Sequence, residues 1–157
     1  MNAAQPIVLA YSGGLDTSFL VPWLKDNYGR PVITVTVDTG GIDAAAAKTL
    51  AERSRAYGAI AHHQIDARAD YFEQVLRFLV MGNVRRGQLY PLCVGAERVM
   101  QAQQIALMAR KLGTNSIAHG CTAAGNERRC GVMTQLRSSK RSDRAVIGPE
   151  CWEPAIG

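Results

Sequence analysis

The feature that most constrains this chain is a short apolar stretch that runs directly into a glycine pair and a polar cluster. Residues 7–11 read IVLAY, a β-prone run, and residues 12–18 follow at once as SGGLDTS. This order predicts a strand, a tight loop and the start of a helix. Adjacent glycines tolerate positive φ and let a ligand approach the backbone, while the first amides of the helix point into the same space. Such a place suits a phosphate group.

Strand and helix patterns alternate after this loop. The periodicities predict helices over residues 17–28, 43–57, 71–80 and 94–112, strands over 32–37, 59–65 and 116–118, and a connection over 82–93. Asp43 is expected to cap the second helix, and Tyr57 with Gly58 to end it. Strands separated by crossover helices predict an α/β fold with a doubly wound parallel sheet that is covered on both faces.

Three polar loops leave the carboxyl ends of the predicted strands. They cover residues 12–18, 38–41 and 119–126. In sheets of this kind, ligands bind beyond the carboxyl ends of the strands at a switch point in strand order. We therefore expect the three loops to converge on one site.

The net charge of +5 is concentrated in one part of the chain. Residues 127–144 carry six Arg or Lys residues against two acidic ones, and the remainder is nearly neutral. This distribution indicates a basic, solvated tail and does not favour a nucleic-acid-binding body, because the tail has no interleaved aromatic residues. The length of 157 residues predicts a single folded domain before this tail.

The cysteine pattern and the length of the apolar runs indicate in which cellular compartment we expect the protein. Cys93, Cys121, Cys130 and Cys151 form no C-x-x-C pair and no Cys/His ligand spacing, so we expect reduced thiols. No apolar run approaches the length of a membrane span, and the first residues have no secretory signal pattern. A cytoplasmic protein without a membrane partner is the expectation.

The SGGLDTS loop matches neither the Walker A pattern nor the G-x-G-x-x-G fingerprint. Phosphate would have to be held by loop amides and by the hydroxyls of Ser12, Thr17 and Ser18. Asp16 is suited to cap the helix or to help hold a magnesium ion that is bound to the phosphates. The alternative is an ordinary strand-to-helix turn with a capping aspartate.

Other short motifs allow further hypotheses. Ser12 lies in a near relative of the nucleophile elbow, with His119 as the histidine partner, but the first strand is the wrong place for that motif. The triplet at Asp38 spells the aspartic-protease motif in an α/β context, where it is a chance match. His62 and His63 are adjacent on a strand, point to opposite faces and cannot easily chelate one metal.

Four stretches together resemble a known family. The SGGLDTS loop resembles the pyrophosphatase loop of the N-type ATP pyrophosphatases. Residues 38–41 (DTGG), 90–92 (YPL), and 118–122 (AHGCT) with 125–126 (GN) follow in the order found in the N-terminal domain of argininosuccinate synthases. The likeness covers about residues 5–126, and residues 145–149 (AVIGP) again resemble a later strand of the family. It implies an adenine-nucleotide α-hydrolase-like, Rossmann-like domain over residues 1–126 and a divergent basic tail over 127–157.

The resemblance implies an ATP-dependent ligase that joins citrulline and aspartate through a citrullyl-adenylate, in arginine biosynthesis and the urea cycle. ATP with Mg²⁺ would be the nucleotide, and no protein metal cage is implied. Citrulline would contact Tyr90 and Asn126, and aspartate would contact Thr122, Asn126 and Glu127. The residues implied to bind ATP are Ala10, Tyr11, Ser12, Gly13, Gly14, Leu15, Asp16, Thr17, Ser18, Val37 and Gly120.

Several positions depart from the family pattern. Glu127 replaces an aspartate-binding Asp, Cys130 stands where an Arg would pair with citrulline, and Gly95 falls where a citrulline-contacting Ser is usual. The family's second domain, which supplies further substrate and oligomer contacts, has no counterpart in these residues. From this we expect ATP binding with impaired turnover.

Two other functions remain open from the sequence. Another pyrophosphatase-loop enzyme acting on tRNA would give the basic tail and Cys121 a use. A non-catalytic ATP-binding module would bind nucleotide without releasing AMP.

Overall fold

The computed structural model describes residues 5–83, 85–86, 90–91, 93–120 and 145–147. Its strands are β1 (Ile7–Ala10), β2 (Val32–Asp38), β3 (Ala61–Asp66), β4 (Arg85–Arg86), β5 (Tyr90–Pro91), β6 (Ser116–Ala118) and β7 (Ala145–Ile147). The α-helices are α1 (Leu15–Tyr28), α2 (Ala44–Ala56), α3 (Arg68–Tyr71), α4 (Arg77–Met81) and α5 (Cys93–Lys111). The predicted alternation of strands and helices is confirmed, with boundaries that differ by a few residues.

The main sheet has the strand order β3-β2-β1-β6-β7, and every pairing in it is parallel. Leu9 of β1 lies between Thr34 of β2 and Ala118 of β6. The chain moves outward from β1 to β3 and then returns to pair β6 with the other side of β1. This reversal is the switch point that the predicted topology requires.

Two apolar clusters lie on opposite faces of the sheet. One joins Ile7 and Leu9 to α1 and α2 through Leu20, Leu24 and Leu50. The other joins Val8 and Val35 to α5 through Ile105 and Ala109. Because neighbouring residues of a strand point to opposite faces, β1 contributes to both clusters. The sheet is therefore doubly wound, as the sequence predicts.

The helix ends follow their local chemistry. The Asp43 carboxylate accepts the Ala46 amide at 2.7 Å and caps α2, as predicted. Gly58 follows α2 with φ 101°, and Gly29 ends α1 with φ 59°. Pro22 is the eighth of the fourteen residues of α1, so its missing amide leaves one hydrogen bond of the helix interior unmade, although the helix continues through it.

The third predicted helix is longer than expected and contains a π-helical turn. It runs from α3 through Phe72–Leu76 to α4. Tyr71 is buried, and its hydroxyl donates to the Cys93 carbonyl at 2.8 Å, which ties this segment to the start of α5. Burial, together with the nearby Glu97 and Cys93, raises the pKa of Tyr71 to about 12. The phenol therefore stays protonated and keeps donating.

One region of the sequence contains strands that were not predicted there. Residues 82–93, read as a connection, contain β4 and β5, which pair antiparallel. β7 pairs with β6 and lies in residues 145–149, the part of the basic tail that resembles a later strand of the family. Strands of two residues, such as β4 and β5, carry too little periodicity to be recognised from sequence. Within the described ranges, no helix is long and apolar enough to cross a membrane.

Candidate functional site

A cavity of approximately 400 Å³ opens at the switch point. The loops after β1 and β6, the end of β2 and one face of α5 form its walls. The loop after β1 leads to α1 on one face of the sheet, and α5 covers the other face, so a crevice forms between them. The lining residues are Ala10, Tyr11, Ser12, Gly14, Leu15, Asp16, Thr17, Val35, Thr36, Val37, Ile42, Arg98, Gln101, Ile105, His119 and Gly120.

The loop after β1 delivers the start of α1 to this cavity. Gly14 precedes the helix and provides no side-chain cap, and the first-turn residues Leu15, Asp16 and Thr17 line the cavity. Amides in the first turn of a helix have no acceptor within the helix, and the helix dipole adds positive potential there. The arrangement suits an anion, as the glycine pair predicts.

Gly13 makes the turn that brings the helix start into position. Its φ is 75°, and a side chain here would overlap the Leu50 Cδ2 methyl of α2. Gly13 therefore supports the loop from behind and does not line the cavity.

Hydroxyl groups organise the rest of the loop. Ser12 Oγ lies 3.2 Å from Thr17 Oγ1 and accepts the Gly14 amide at 3.4 Å. Thr17 Oγ1 also donates to the Gly14 carbonyl at 3.3 Å. These contacts hold both hydroxyls beside the helix start. Because Thr17 donates to Gly14, Ser12 donates to Thr17, and a phosphate oxygen can take the place of either acceptor when a ligand binds.

Ser18 lies beneath the loop and does not line the cavity. It is buried, and its Oγ is 3.3 Å from the Tyr11 hydroxyl. The Tyr11 carbonyl in turn accepts the Thr36 hydroxyl at 2.6 Å. Ser18 and Tyr11 thus anchor α1 to the sheet, and Tyr11 also contributes to the cavity wall.

The end of β6 approaches α1 closely at Gly120. A Cβ at this position would lie 3.0 Å from Thr17 Cγ2 and 3.5 Å from Leu20 Cδ1. That is tighter than ordinary contact, so the loop after β6 can approach the helix start because residue 120 is glycine. His119 precedes it on the same wall.

The loop after β2 is fixed by a buried carboxylate. Asp38 accepts the Gly40 amide at 2.9 Å and lies 3.9 Å from Arg68 Nε. Arg68 also binds Asp66 through two contacts of 2.9 and 2.6 Å. The hydrogen bonds from Arg68 lower the pKa of Asp66 to about 2. The Asp38 triplet is accordingly a loop-forming element here.

His62, the first residue of the histidine pair, belongs to a polar cluster with Thr34 and Ser54. His62 Nδ1 lies 2.9 Å from Thr34 Oγ1, which is 2.5 Å from Ser54 Oγ. Burial, then the positive charges of Arg55 and His63, lowers the pKa of His62. Its Nε2 is buried and has no hydrogen-bond partner among the described residues. His62 is a neutral packing residue, and no group of three or more potential metal ligands occurs within the described residues.

The wall contributed by α5 was missed by sequence reasoning. Arg98, Gln101 and Ile105 share one helical face and line the cavity. The signal was present as polar residues at spacings of three and four beside an apolar face. It was not recognised because polar residues on a helix usually face solvent.

Most of the residues predicted to bind ATP meet at this cavity. Gly13 and Ser18 are the exceptions and act as supports. For the predicted citrulline contact Tyr90, the structure describes the backbone in β5. Thr122, Asn126 and Glu127 lie outside the described residues.

Comparison with protein families decides where the chain belongs. The model of the arginosuccinate synthase N-terminal HUP domain matches residues 6–150. The chain belongs to the argininosuccinate synthase family. The match continues beyond residue 126 and includes β7.

Individual argininosuccinate synthases are similar over most of this chain. One from Pyrobaculum aerophilum is 41% identical over 125 residues, which are 79% of this chain and 31% of that protein. One from Xanthomonas axonopodis pv. citri is 37% identical over 149 residues, which are 94% of this chain and 35% of that protein. The chain spans about a third of the length of these relatives.

Solved structures with low sequence identity share the fold. A predicted subunit of tRNA methyltransferase from Methanocaldococcus jannaschii has a TM-score of 0.62 at 16% identity, over 92% of this chain and 67% of that one. A glutamine-dependent NAD⁺ synthetase from Acinetobacter baumannii, in complex with ADP, has a TM-score of 0.59 at 14% identity, over 83% of this chain and 23% of that one. These likenesses show the α/β fold of the family.

Proposed function

We propose that this member of the argininosuccinate synthase family binds ATP in the switch-point cavity and serves the ATP-dependent joining of citrulline and aspartate. The observation that carries the proposal is the start of α1, which lies at the cavity without a side-chain cap. Family membership supplies the substrate class.

The cavity has surfaces for each part of ATP. The α1 amides and the Ser12 and Thr17 hydroxyls suit phosphate oxygens. Val37 and Ile42 offer apolar surface to the adenosine, and Gly120 offers backbone to it. A volume near 400 Å³ is in the range of small-molecule sites.

Asp16 is the residue placed to hold Mg²⁺ with the phosphates. It lies in the first turn of α1 and lines the cavity. Magnesium keeps several waters and takes one or two carboxylates together with substrate phosphates, so a single exposed aspartate is sufficient. Bound there, the ion would neutralise phosphate charge.

The proposed chemistry is attack of the citrulline ureido oxygen on the α-phosphate, with release of pyrophosphate, followed by displacement of AMP by the aspartate amine. Such displacements need aligned reactants and neutralised phosphate charge more than a strong acid or base. The loop amides and hydroxyls would align the nucleotide. By family resemblance, Tyr90 and Asn126 would hold citrulline, and Thr122, Asn126 and Glu127 would hold aspartate.

Gly95 occupies the position at which the family usually carries a citrulline-contacting serine. A Cβ built on this residue of α5 has no heavy atom within 4 Å. The serine that the family usually carries here would therefore fit without displacing a neighbour. Gly95→Ser should improve citrulline binding in the presence of ATP if this side of the cavity holds citrulline.

Calorimetric titration with ATP tests the nucleotide proposal. Wild type should bind, and Gly14→Asp should bind at least about tenfold more weakly, because a carboxylate beside the α1 amides repels phosphate. Asn27→Asp adds the same charge at the far end of α1 and should leave ATP affinity unchanged. Absence of ATP binding in wild type, or undiminished binding in Gly14→Asp, would reject the proposal.

Substrate identity is tested by adding citrulline and aspartate with ATP and measuring AMP, pyrophosphate and argininosuccinate. Product that requires both amino acids supports the assignment. Pyrophosphate release that depends on tRNA and not on citrulline would point to a different pyrophosphatase-loop enzyme.

A further inference from the structure

A chain of polar contacts connects the loop after β2 to the cavity wall. The Thr39 hydroxyl donates to Glu97 Oε1 at 2.6 Å. The same oxygen accepts a hydrogen bond from the side-chain amide nitrogen (Nε2) of Gln101 at 3.0 Å. Arg98 Nη1 donates to the side-chain oxygen (Oε1) of Gln101 at 3.1 Å. Three residues of α5 are thereby linked to one another and to the loop that follows β2.

The chemistry of the partners sets the orientation of the Gln101 amide. A carboxylate only accepts hydrogen bonds, and a guanidinium only donates them. The NH₂ of Gln101 must therefore face Glu97, and its oxygen must face Arg98. Turning the amide over would break both contacts. Glu97 therefore fixes the orientation in which the Gln101 side-chain oxygen faces Arg98.

Arg98 is one of the cavity-lining residues on α5, and it is exposed. A long side chain in such a place samples many rotamers, and each contact that restrains it lowers the entropy lost when a ligand binds. The planar guanidinium fork fits phosphate oxygens in a defined geometry. Restraint by Gln101 thus prepares the fork for an anionic ligand.

The cavity then has two anion-binding elements, the start of α1 and the Arg98 guanidinium. A ligand with a single anionic group needs one of them, whereas a chain of phosphates can contact both. Arg98 therefore suits the phosphates beyond the α position.

We propose that Glu97 is a positioning residue that, through Gln101, holds Arg98 against the cavity wall to bind the β- and γ-phosphates of the nucleotide. This inference rests on the proposed ATP site and adds a determinant of selectivity for triphosphate over monophosphate.

Calorimetric titration of the whole chain with ATP and with AMP tests this role. Arg98→Met should weaken ATP binding by about tenfold, the effect of losing a charge-assisted hydrogen bond, and should leave AMP binding unchanged. Glu97→Ala should weaken ATP binding selectively and by a smaller factor. Glu97→Gln should restore binding, since one amide oxygen can accept from both Thr39 and Gln101.

A double variant distinguishes a positioning role of Glu97 from a general contribution of Glu97 to folding. Adding Glu97→Ala to Arg98→Met should cause no further loss of ATP affinity, because Glu97 acts through Arg98. Arg110→Met, in the last turn of α5, is the matched charge control and should bind both nucleotides as wild type does. Glu52→Ala on α2 is the matched control for Glu97→Ala.

Three results would overturn the inference while leaving the ATP site intact. They are equal losses for ATP and AMP in Glu97→Ala, additive losses in the double variant, and weaker binding of citrulline or aspartate with unchanged ATP affinity in Arg98→Met. The last would assign Arg98 to an amino-acid carboxylate. A wild type that binds neither nucleotide would instead reject the ATP site itself, and this inference with it.

Discussion

Adjacent glycines in the loop after β1 have different physical roles. Gly13 has φ 75° and faces Leu50, whereas Gly14 has φ −73° and faces the cavity beside Ser12. The backbone at Gly13 is in the left-handed region that other residues avoid, and the backbone at Gly14 is accessible to any residue. The turn therefore requires glycine at residue 13, and a ligand approaches the backbone at the next residue, Gly14.

Alanine substitution should separate these two roles. We expect Gly13→Ala to lower the free energy of unfolding by about 1–2 kcal/mol, because alanine is strained at positive φ and overlaps Leu50. Gly14→Ala should change stability little and weaken ATP binding, because its methyl group enters the phosphate site. Urea denaturation and calorimetric titration measure the two effects. Equal stability losses in both variants would contradict this division.

Gly120 sets the distance between β6 and α1. Gly120→Ala should lower the free energy of unfolding by about 1 kcal/mol, because the added methyl presses on Thr17 and Leu20. It should also weaken ATP binding by moving the loop away from the helix start. Gly95→Ala, where an added Cβ meets nothing within 4 Å, is the control and should not lower stability. Urea denaturation of both variants provides the comparison.

At the scale of elements, β2 and β3 are joined at their carboxyl ends by charge. Asp38 and Asp66 are paired in the sheet register, and Arg68 at the start of α3 binds both carboxylates. Two carboxylates side by side would repel, so the arginine makes the pairing favourable. This contact orients the loop that carries Thr39 into the contact with Glu97.

The Asp66 contact should make stability depend on pH in the acid range. The pKa of Asp66 is about 2 in the folded protein, below its ordinary value of 3.8. A depressed carboxyl pKa contributes stability above the unfolded value, and that contribution is lost as the pH falls from about 4 towards 2. The difference in unfolding free energy between wild type and Asp66→Asn should therefore shrink over this range. Urea denaturation at several pH values measures it.

Removing the arginine provides the control for that titration. In an Arg68→Met background, the cost of Asp66→Asn should depend less on pH, since the guanidinium hydrogen bonds are gone and only the residue 68 amide still donates to Asp66. A pH dependence that is undiminished without the Arg68 side chain would assign the effect to another group.

At the scale of the whole molecule, the two apolar clusters differ in their relation to the site. Leu24 is buried on the α1 face of the sheet and does not line the cavity. Ile105 is buried on the α5 face and does line it. Among the described residues, the α1-face cluster therefore meets the cavity only through Tyr11, whereas the α5-face cluster contributes Val35, Val37 and Ile105 to the cavity wall.

Truncation of these two side chains should affect the protein differently. Leu24→Ala and Ile105→Ala should each lower the free energy of unfolding by about 2–5 kcal/mol, through lost burial and the cavity left behind. Only Ile105→Ala should also weaken ATP binding, because it reshapes the cavity wall. Thermal denaturation with and without ATP tests both parts. An equal loss of ATP affinity in Leu24→Ala would argue against a wall specific to α5.

Local patterns in the sequence determined the elements and the phosphate loop. The IVLAY run, the glycine pair and the β-branched run of β2 each act through residues close in the chain, so their consequences can be predicted without knowing the fold. The order of the four matching stretches (SGGLDTS, DTGG, YPL, and AHGCT with GN) identified the family from residues alone, and the family match confirms that assignment.

Only the tertiary structure decided which elements meet at the site. The return of the chain from β3 to β6 places α5 on the opposite face from α1, and this brings Arg98, Gln101 and Ile105 to the cavity. It also showed that Gly13 and Ser18 lie behind the loop and that Gly120 packs on α1. These contacts join residues far apart in sequence, and their free energy depends on crossover geometry that no local pattern encodes.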